Sequence, residues 1–256
     1  MLTAGILARR SSLGRLGAVL IMAAALAGCG NTQMVEGQTG PQPSLVVPTS
    51  VPISVPPSVT PTVQPFVPGP LIDPGLDLRA GPVDVPLELR IPSLKVSAPV
   101  VGVGITSENV MDAPRGPADD RVWQTVFWYR GGGVPGDVGT ATITGHITDS
   151  LGRPAIFIHL GDLRPGDPIL VHDPRSGRSV RFTVTEIESY TLAQANDPSV
   201  LERTYGAGPV SGIGPQPSPD GLSHLTLITC SGRFDSGSFD HRLIVYATRS
   251  GYEHRL

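Results

Sequence analysis

The sequence predicts an all-β protein, a single closed β-barrel with one or two short helices that follows a disordered Pro-rich linker. After residue 82 the chain consists of short runs rich in Val, Ile and Thr, separated by Gly, Pro and Asp. This pattern is typical of many short strands joined by turns. Helix signals are scarce. The 27 prolines are unevenly spread, with ten of them between Pro41 and Pro70, which indicates a low-complexity segment beside a globular one.

Residues 1–29 have the pattern of an export signal. Arg9, Arg10 and Arg15 precede an apolar run over residues 16–26, which is the order found in signal peptides. The run is shorter than the roughly 20 apolar residues that a membrane-spanning helix needs. We therefore expect the mature protein to act outside the cytoplasm.

The end of this signal, Leu26-Ala27-Gly28-Cys29, resembles the lipobox of bacterial lipoproteins. In lipoproteins this cysteine becomes the lipidated first residue of the mature chain, so the resemblance implies a lipid anchor on Cys29 at the outer face of the cell membrane. Two or more acyl chains give a lasting anchor, because each buried CH₂ contributes about 0.8 kcal/mol. An ordinary or uncleaved signal with a chance cysteine is the alternative.

Residues 30–82 are predicted to form the disordered linker. They are polar at first and then rich in Pro, Val and Ser, a composition that favours polyproline II and cannot build a packed core. At about 3.1 Å per residue, such a segment reaches on the order of 150 Å when fully extended. We expect it to hold the globular domain, residues 83–256, away from the membrane.

Seven runs in this domain are predicted as strands because they are short and rich in β-branched residues. They span residues 87–91, 95–103, 140–147, 168–172, 179–187, 224–229 and 242–248. Residues 193–205 are predicted to carry one or two short helices. Many short strands in about 170 residues are typical of a closed all-β barrel or a sandwich. Closure into a barrel would leave no strand edge exposed.

Charge and cysteine content narrow the function. The net charge is −3 and no Lys/Arg run follows the first fifteen residues, so the electrostatic footprint of a nucleic-acid-binding protein is missing. The chain has two cysteines. If Cys29 is lipidated, Cys230 has no intramolecular partner, which is unusual in an exported protein.

Cys230 lies at the end of the predicted strand 224–229 and before a Gly/Ser-rich loop. A thiol held there is rigid and partly exposed, as a nucleophile should be; a buried, inert cysteine is the alternative. Arg242 begins the next strand, and a hairpin-like return would bring its guanidinium towards Cys230, where a cation favours a thiolate. Arg233 in the loop is its rival. His146, preceded by a glycine, closes another strand and could shuttle protons. Spacing alone leaves the other five histidines open.

Three motifs in order resemble the sortase family. Thr226-Leu227-Ile228-Thr229-Cys230 matches the signature TLxTC, and His241-Arg242-Leu243-Ile244-Val245 matches the segment with the sortase arginine. The third stretch looks like the region leading into the catalytic histidine, and is closest to class F sortases of actinobacteria; it comprises Trp128-Tyr129-Arg130, Pro135-Gly136, Gly139 and Thr140 to His146. The resemblance covers residues 87–248.

The resemblance implies a sortase-type barrel and a cysteine transpeptidase with Cys230 as nucleophile, His146 as acid/base and Arg242 as oxyanion stabiliser. The resemblance also makes Thr229 a candidate for a second contact to the oxyanion or for a supporting residue behind the catalytic groups. The implied partners are secreted proteins with C-terminal sorting signals of LPxTG type and a peptidoglycan, pilin or other amine. The implied chemistry requires no metal or organic cofactor.

Two other interpretations compete. One is a non-catalytic surface lipoprotein whose barrel binds a wall or protein ligand, with Cys230 inert. The other is an L,D-transpeptidase, but that signature places Ser-x-Gly-Cys shortly after a His-Gly pair, and Thr-Leu-Ile-Thr-Cys does not fit it. The anchor also departs from the sortase pattern, because sortases are usually held by an N-terminal transmembrane helix.

Overall fold

The computed structural model describes residues 70–73 and 76–254. Within them, eight strands close into a barrel in the order β1-β2-β3-β4-β7-β8-β6-β5. The strands are β1 (Val83–Ile91), β2 (Val96–Val103), β3 (Val126–Tyr129), β4 (Gly139–Gly145), β5 (Pro168–Asp173), β6 (Arg178–Thr191), β7 (Ser223–Asp235) and β8 (Ser238–His254). The predicted all-β barrel is confirmed.

Two of the strand pairings are parallel, β2 with β3 and β4 with β7, and the others are antiparallel. Alternate side chains of each strand fill the barrel. Those that are at most 2 % exposed include Leu89, Val100, Trp128, Ile143, Ile169, Phe182, Leu225 and Leu227, and Phe157 from the segment after β4 packs among them. On the outer face of β7 and β8, Ile228, Ile244 and Tyr246 form a second buried cluster.

The strand β3 was not among the predicted strands. Its sequence, Val126-Phe127-Trp128-Tyr129, is only four residues long, and three of the four are buried. A short, continuously apolar run has no alternating pattern by which a strand can be recognised. Its aromatic residues Phe127 and Trp128 are each 1 % exposed and pack inside the fold.

The predicted loop after Cys230 is instead a strand extension. β7 continues to Asp235 and β8 begins at Ser238, so Ser236 and Gly237 alone form the turn of a long hairpin. Both turn residues have positive φ, 49° and 85°, as a tight two-residue turn requires. The Gly/Ser-rich composition misled the prediction because it is typical of loops.

Three short α-helices connect β6 to β7, where one or two were predicted: α1 (Leu192–Ala195), α2 (Pro198–Tyr205) and α3 (Ala207–Ser211). The α1 helix begins with a capping box in which the Thr191 side chain accepts from the backbone of Gln194. At α2, the Asp197 side chain accepts from the backbone N–H of Ser199. No helix in the described part of the chain is long and apolar enough to cross a membrane.

The folded domain was predicted to begin at residue 83, but residues before this position already pack against the barrel. Leu71 and Ile72 pack against the barrel core, and Ile105 N–H donates to the Leu78 carbonyl. The buried Arg130 side chain donates to the carbonyls of Asp77 and Ala80 at 3.2 and 2.7 Å. These contacts correct the linker boundary. Cys29, the export signal and linker residues 30–69 lie outside the described residues.

Candidate active site

Cys230 and Arg242 face each other across the β7–β8 ladder. Their Cα positions are direct partners in its register, and both residues are half-buried. Leu225, Leu227 and Thr229 are buried on the barrel side of β7. Because side chains alternate along a strand, Cys230 is directed to the outside, where the guanidinium of Arg242 also lies.

Two threonine side chains bind β7 to β4 just below Cys230. The buried Thr229 hydroxyl donates to the Gly145 carbonyl at 2.9 Å, and the Thr144 hydroxyl donates to the Ile228 carbonyl at the same distance. Parallel pairing puts Thr144 opposite Ile228. The residues that follow each strand, His146 and Cys230, are thereby brought to the same end of the sheet.

His146 leaves β4 immediately after Gly145. A Cβ added to Gly145 would come within 2.6 Å of the Phe157 ring, so only glycine allows this close approach. The imidazole packs against Trp123 at 4.8 Å and Phe127 at 5.6 Å between ring centroids. These contacts hold the ring in one orientation.

The Pro114 carbonyl determines which nitrogen of His146 carries the proton. His146 Nε2 lies 2.8 Å from this oxygen. A carbonyl only accepts hydrogen bonds, so Nε2 must be the donor. In the neutral ring, Nδ1 then has the free lone pair and can act as a base.

The pKa of His146 is lowered from its ordinary value, chiefly because burial disfavours the charged ring, and further by the positive charge of Arg115. The hydrogen bond to the Pro114 carbonyl opposes this shift because it is stronger with the protonated ring. The neutral ring therefore dominates at pH 7.

The three residues predicted as catalytic line one open cleft of about 710 Å³. The loop Ile147 to Gly152 forms one wall and the tip of the β7–β8 hairpin, with Phe234 and Phe239, forms another. The rings of this pair pack edge to face at 5.0 Å. In this conformation His146 is bonded to Pro114, and Cys230 and His146 share no hydrogen bond.

The guanidinium of Arg242 is held from one side only. Its Nη1 donates to the carbonyls of Phe239 and His241 at 3.3 and 2.9 Å. The remaining N–H groups have no such partner among the described residues and are available to an anion at the mouth of the cleft.

The rival candidates lie elsewhere. Arg233 is exposed on the hairpin and does not line the cleft. His224 contacts Asp220 and Thr248, far along β7 from Cys230. His241 binds the Asp240 carboxylate at 2.7 Å. The Thr229 hydroxyl donates to the Gly145 carbonyl. Thr229 therefore affects the cleft only by positioning Cys230.

Sequence reasoning missed the segment that carries Pro114 and Arg115, both of which lie near His146. The segment has no regular structure before the short 3-10 helix Arg121–Gln124. It is held in place by Trp123, whose indole N–H donates to the Pro117 carbonyl at 2.7 Å. No periodic pattern or motif marked it, because its contact with His146 spans 32 residues of sequence.

The comparison with family models decides the family. A model described as the sortase domain matches residues 89–250, which is well over half of the chain. The chain belongs to the sortase family. Sortases are cysteine transpeptidases that act outside the cytoplasm on proteins with sorting signals and on amine nucleophiles. A search of the curated proteins found no match.

Solved sortase structures are similar to this chain. A lid mutant of sortase A from Corynebacterium diphtheriae is 21% identical, with 68% of this chain and 73% of that chain covered and a TM-score of 0.43. Sortase C-1 from Actinomyces oris is 23% identical, with 64% and 73% covered and a TM-score of 0.43. Sortase A from Listeria monocytogenes is 18% identical, with 68% and 92% covered and a TM-score of 0.44.

Proposed function

We propose that this sortase cleaves an LPxTG-type sorting motif through a thioester on Cys230 and transfers the acyl group to an amine of the cell wall or of a pilin. His146 is the acid/base and Arg242 stabilises the oxyanion. The observation that carries this proposal is the cleft that Cys230, His146 and Arg242 line together. A nucleophile, a proton shuttle and a fixed cation at one cleft are what acyl transfer requires.

The first half of the reaction forms the acyl-enzyme. The Cys230 thiol gives its proton to Nδ1 of His146, and the sulfur attacks the carbonyl of the motif's threonine. The negative charge that develops on the carbonyl oxygen is stabilised by the free N–H groups of Arg242. The protonated imidazole then donates its proton to the leaving amide nitrogen, so that the C–N bond breaks and a thioester remains.

The second half transfers the acyl group. An amine attacks the thioester carbonyl, and Nδ1 of His146 accepts the proton that the amine loses. When the tetrahedral intermediate collapses, the C–S bond breaks and the Cys230 sulfur takes a proton back. Cysteine suits these steps because a thiolate is a strong nucleophile and its ester reacts readily with amines.

The finer assignments belong to the same proposal. The motif region before His146 favours an actinobacterial class F or class E/F-like sortase. Thr229 positions Cys230, because its hydroxyl binds β7 to β4 at that point. Cys29 carries the lipid anchor and residues 30–69 form the linker. Replacement of Cys29 by serine, followed by membrane fractionation of cells, tests the anchor: the protein should leave the membrane fraction.

The reaction is tested by intact mass spectrometry. The full chain and its Cys230→Ala variant are incubated with a series of LPxTG-type peptides, with and without a small amine. We expect the wild type to form an acyl adduct and to convert it into the peptide–amine product, and the variant to do neither. A Cys230 that forms no adduct and is also inert to an alkylating reagent in the folded protein would overturn the proposal and favour a binding protein.

A further inference from the structure

The cleft around Cys230 carries an excess of positive charge. The charged residues that line it are Arg115, Asp149 and Arg242. The Asp149 carboxylate is buried and paired with the Arg153 guanidinium at 2.5 Å. It also accepts from the backbone N–H groups of Leu151 and Arg153. Its charge is thus compensated within the loop wall, and both arginine charges remain in the cleft.

Arg115 is the cation in this cleft that the fold leaves unused. Its side chain is exposed and has no hydrogen bond or ion pair with any residue that the structure describes. It is nevertheless held near His146, because the preceding carbonyl of Pro114 accepts from the imidazole. A guanidinium whose backbone is held beside a catalytic base, and which has no partner of its own, is suited to bind an anionic group on a substrate.

We propose that Arg115 selects the amine that resolves the acyl-enzyme, by binding a carboxylate on that amine. This inference rests on the proposed function. The preferred acceptor is then an amine on a flexible chain that also bears a carboxylate, such as the side-chain amine of a diamino acid with a free acid group. Arg115 is a specificity-determining residue and takes no part in bond making.

The geometry assigns Arg115 to the acceptor. The attacking amine must come within hydrogen-bond reach of Nδ1 of His146, since this atom takes its proton. The acceptor therefore passes along the cleft wall that contains His146, and Arg115 follows directly after the residue that His146 binds. Of the charged residues that line the cleft, Asp149 is paired with Arg153, and Arg242 is needed at the carbonyl oxygen of the acyl group. This leaves Arg115 for the acceptor.

A matched pair of acceptors tests this inference. Nα-acetyl-lysine and Nα-acetyl-lysine amide present the same side-chain amine and differ in one carboxylate. The full chain is given a saturating concentration of an LPxTG-type peptide that it cleaves. The rate constants of product formation with the two acceptors are then compared at one pH and low salt. We expect the wild type to prefer the acid by about fivefold, the upper range for an exposed ion pair.

The variants separate binding from other effects. Arg115→Gln should bring the ratio of the two rate constants to about one, Arg115→Lys should keep part of it, and higher salt should weaken it. Arg121→Gln is the matched control, because Arg121 is exposed nearby without lining the cleft; its ratio should equal that of the wild type.

Two results would overturn the inference. One is a wild type without preference for the acid. The other is an Arg115→Gln variant that slows both acceptors equally and keeps the ratio, since this would mean that Arg115 acts only through the pKa of His146. Failure of the proposed function is recognised separately, because the peptide would then not be cleaved even without an acceptor.

Discussion

Cys230 and Arg242 are direct cross-strand partners, on neighbouring strands joined by a two-residue turn. The distance between the nucleophile and the cation is therefore determined by the β-ladder itself, which is among the most rigid ways to hold two side chains together. The backbone carbonyls of Phe239 and His241 further restrict the guanidinium.

Replacement of Arg242 should remove most of the activity. Arg242→Ala should lower kcat by about 10²- to 10³-fold, the range for loss of an oxyanion donor. Arg242→Lys should fall between this variant and the wild type, because it keeps the charge and loses the planar fork. Steady-state peptide cleavage measures the effect, with circular dichroism to verify folding. Arg233→Ala is the control: a similar loss there would contradict the assignment of Arg242.

The pKa of His146 should lie below the ordinary histidine value of 6.5, because burial and Arg115 both disfavour the protonated ring. Neutral His146 is the form that accepts a proton, so acyl transfer should fall as the pH falls through this lowered pKa. A titration of the ring by NMR measures it directly. Arg115→Gln should raise the pKa towards 6.5; a wild-type pKa above 6.5 would refute the argument.

Loss of the Thr229 hydroxyl should reduce both stability and activity. Thr229→Val keeps the shape but leaves the Gly145 carbonyl without its donor, which should lower the free energy of unfolding by about 1–3 kcal/mol. Activity should fall as well, since Thr229 is directly before Cys230. Urea unfolding and peptide cleavage are the measurements. Thr229→Ser, which retains the hydroxyl, should resemble the wild type. A Thr229→Val variant with the stability and activity of the wild type would show that the hydrogen bond contributes nothing.

Arg130 should hold the first part of the folded domain without affecting the chemistry. Arg130→Met removes the donors to the Asp77 and Ala80 carbonyls, so residues 76–82 should be cut faster by a protease. β3 runs antiparallel to β4, which puts Arg130 at the end of the barrel away from His146. Alkylation of Cys230 should therefore proceed at the wild-type rate. An unchanged proteolysis rate would show that the other contacts suffice.

Local patterns were enough to predict much of the molecule. Seven of the eight strands follow from short β-branched runs between turn residues, and β3 is missing because four continuous apolar residues have no period. The hairpin after Cys230 was predicted in outline, which placed Arg242 near the thiol, although the strands continue further towards the turn than a Gly/Ser-rich segment indicates.

The sequence by itself determined most of the strands, because alternation and turn residues act over a few positions, and its resemblance to sortases determined the motifs around Cys230, His146 and Arg242. Only the tertiary structure decided that β4 and β7 pair in parallel, which joins residues 84 positions apart. It also decided that the Pro114 carbonyl orients His146 and that Arg115 stands beside it. Such contacts depend on how strands distant in sequence close the barrel, and no local pattern of side chains encodes that closure.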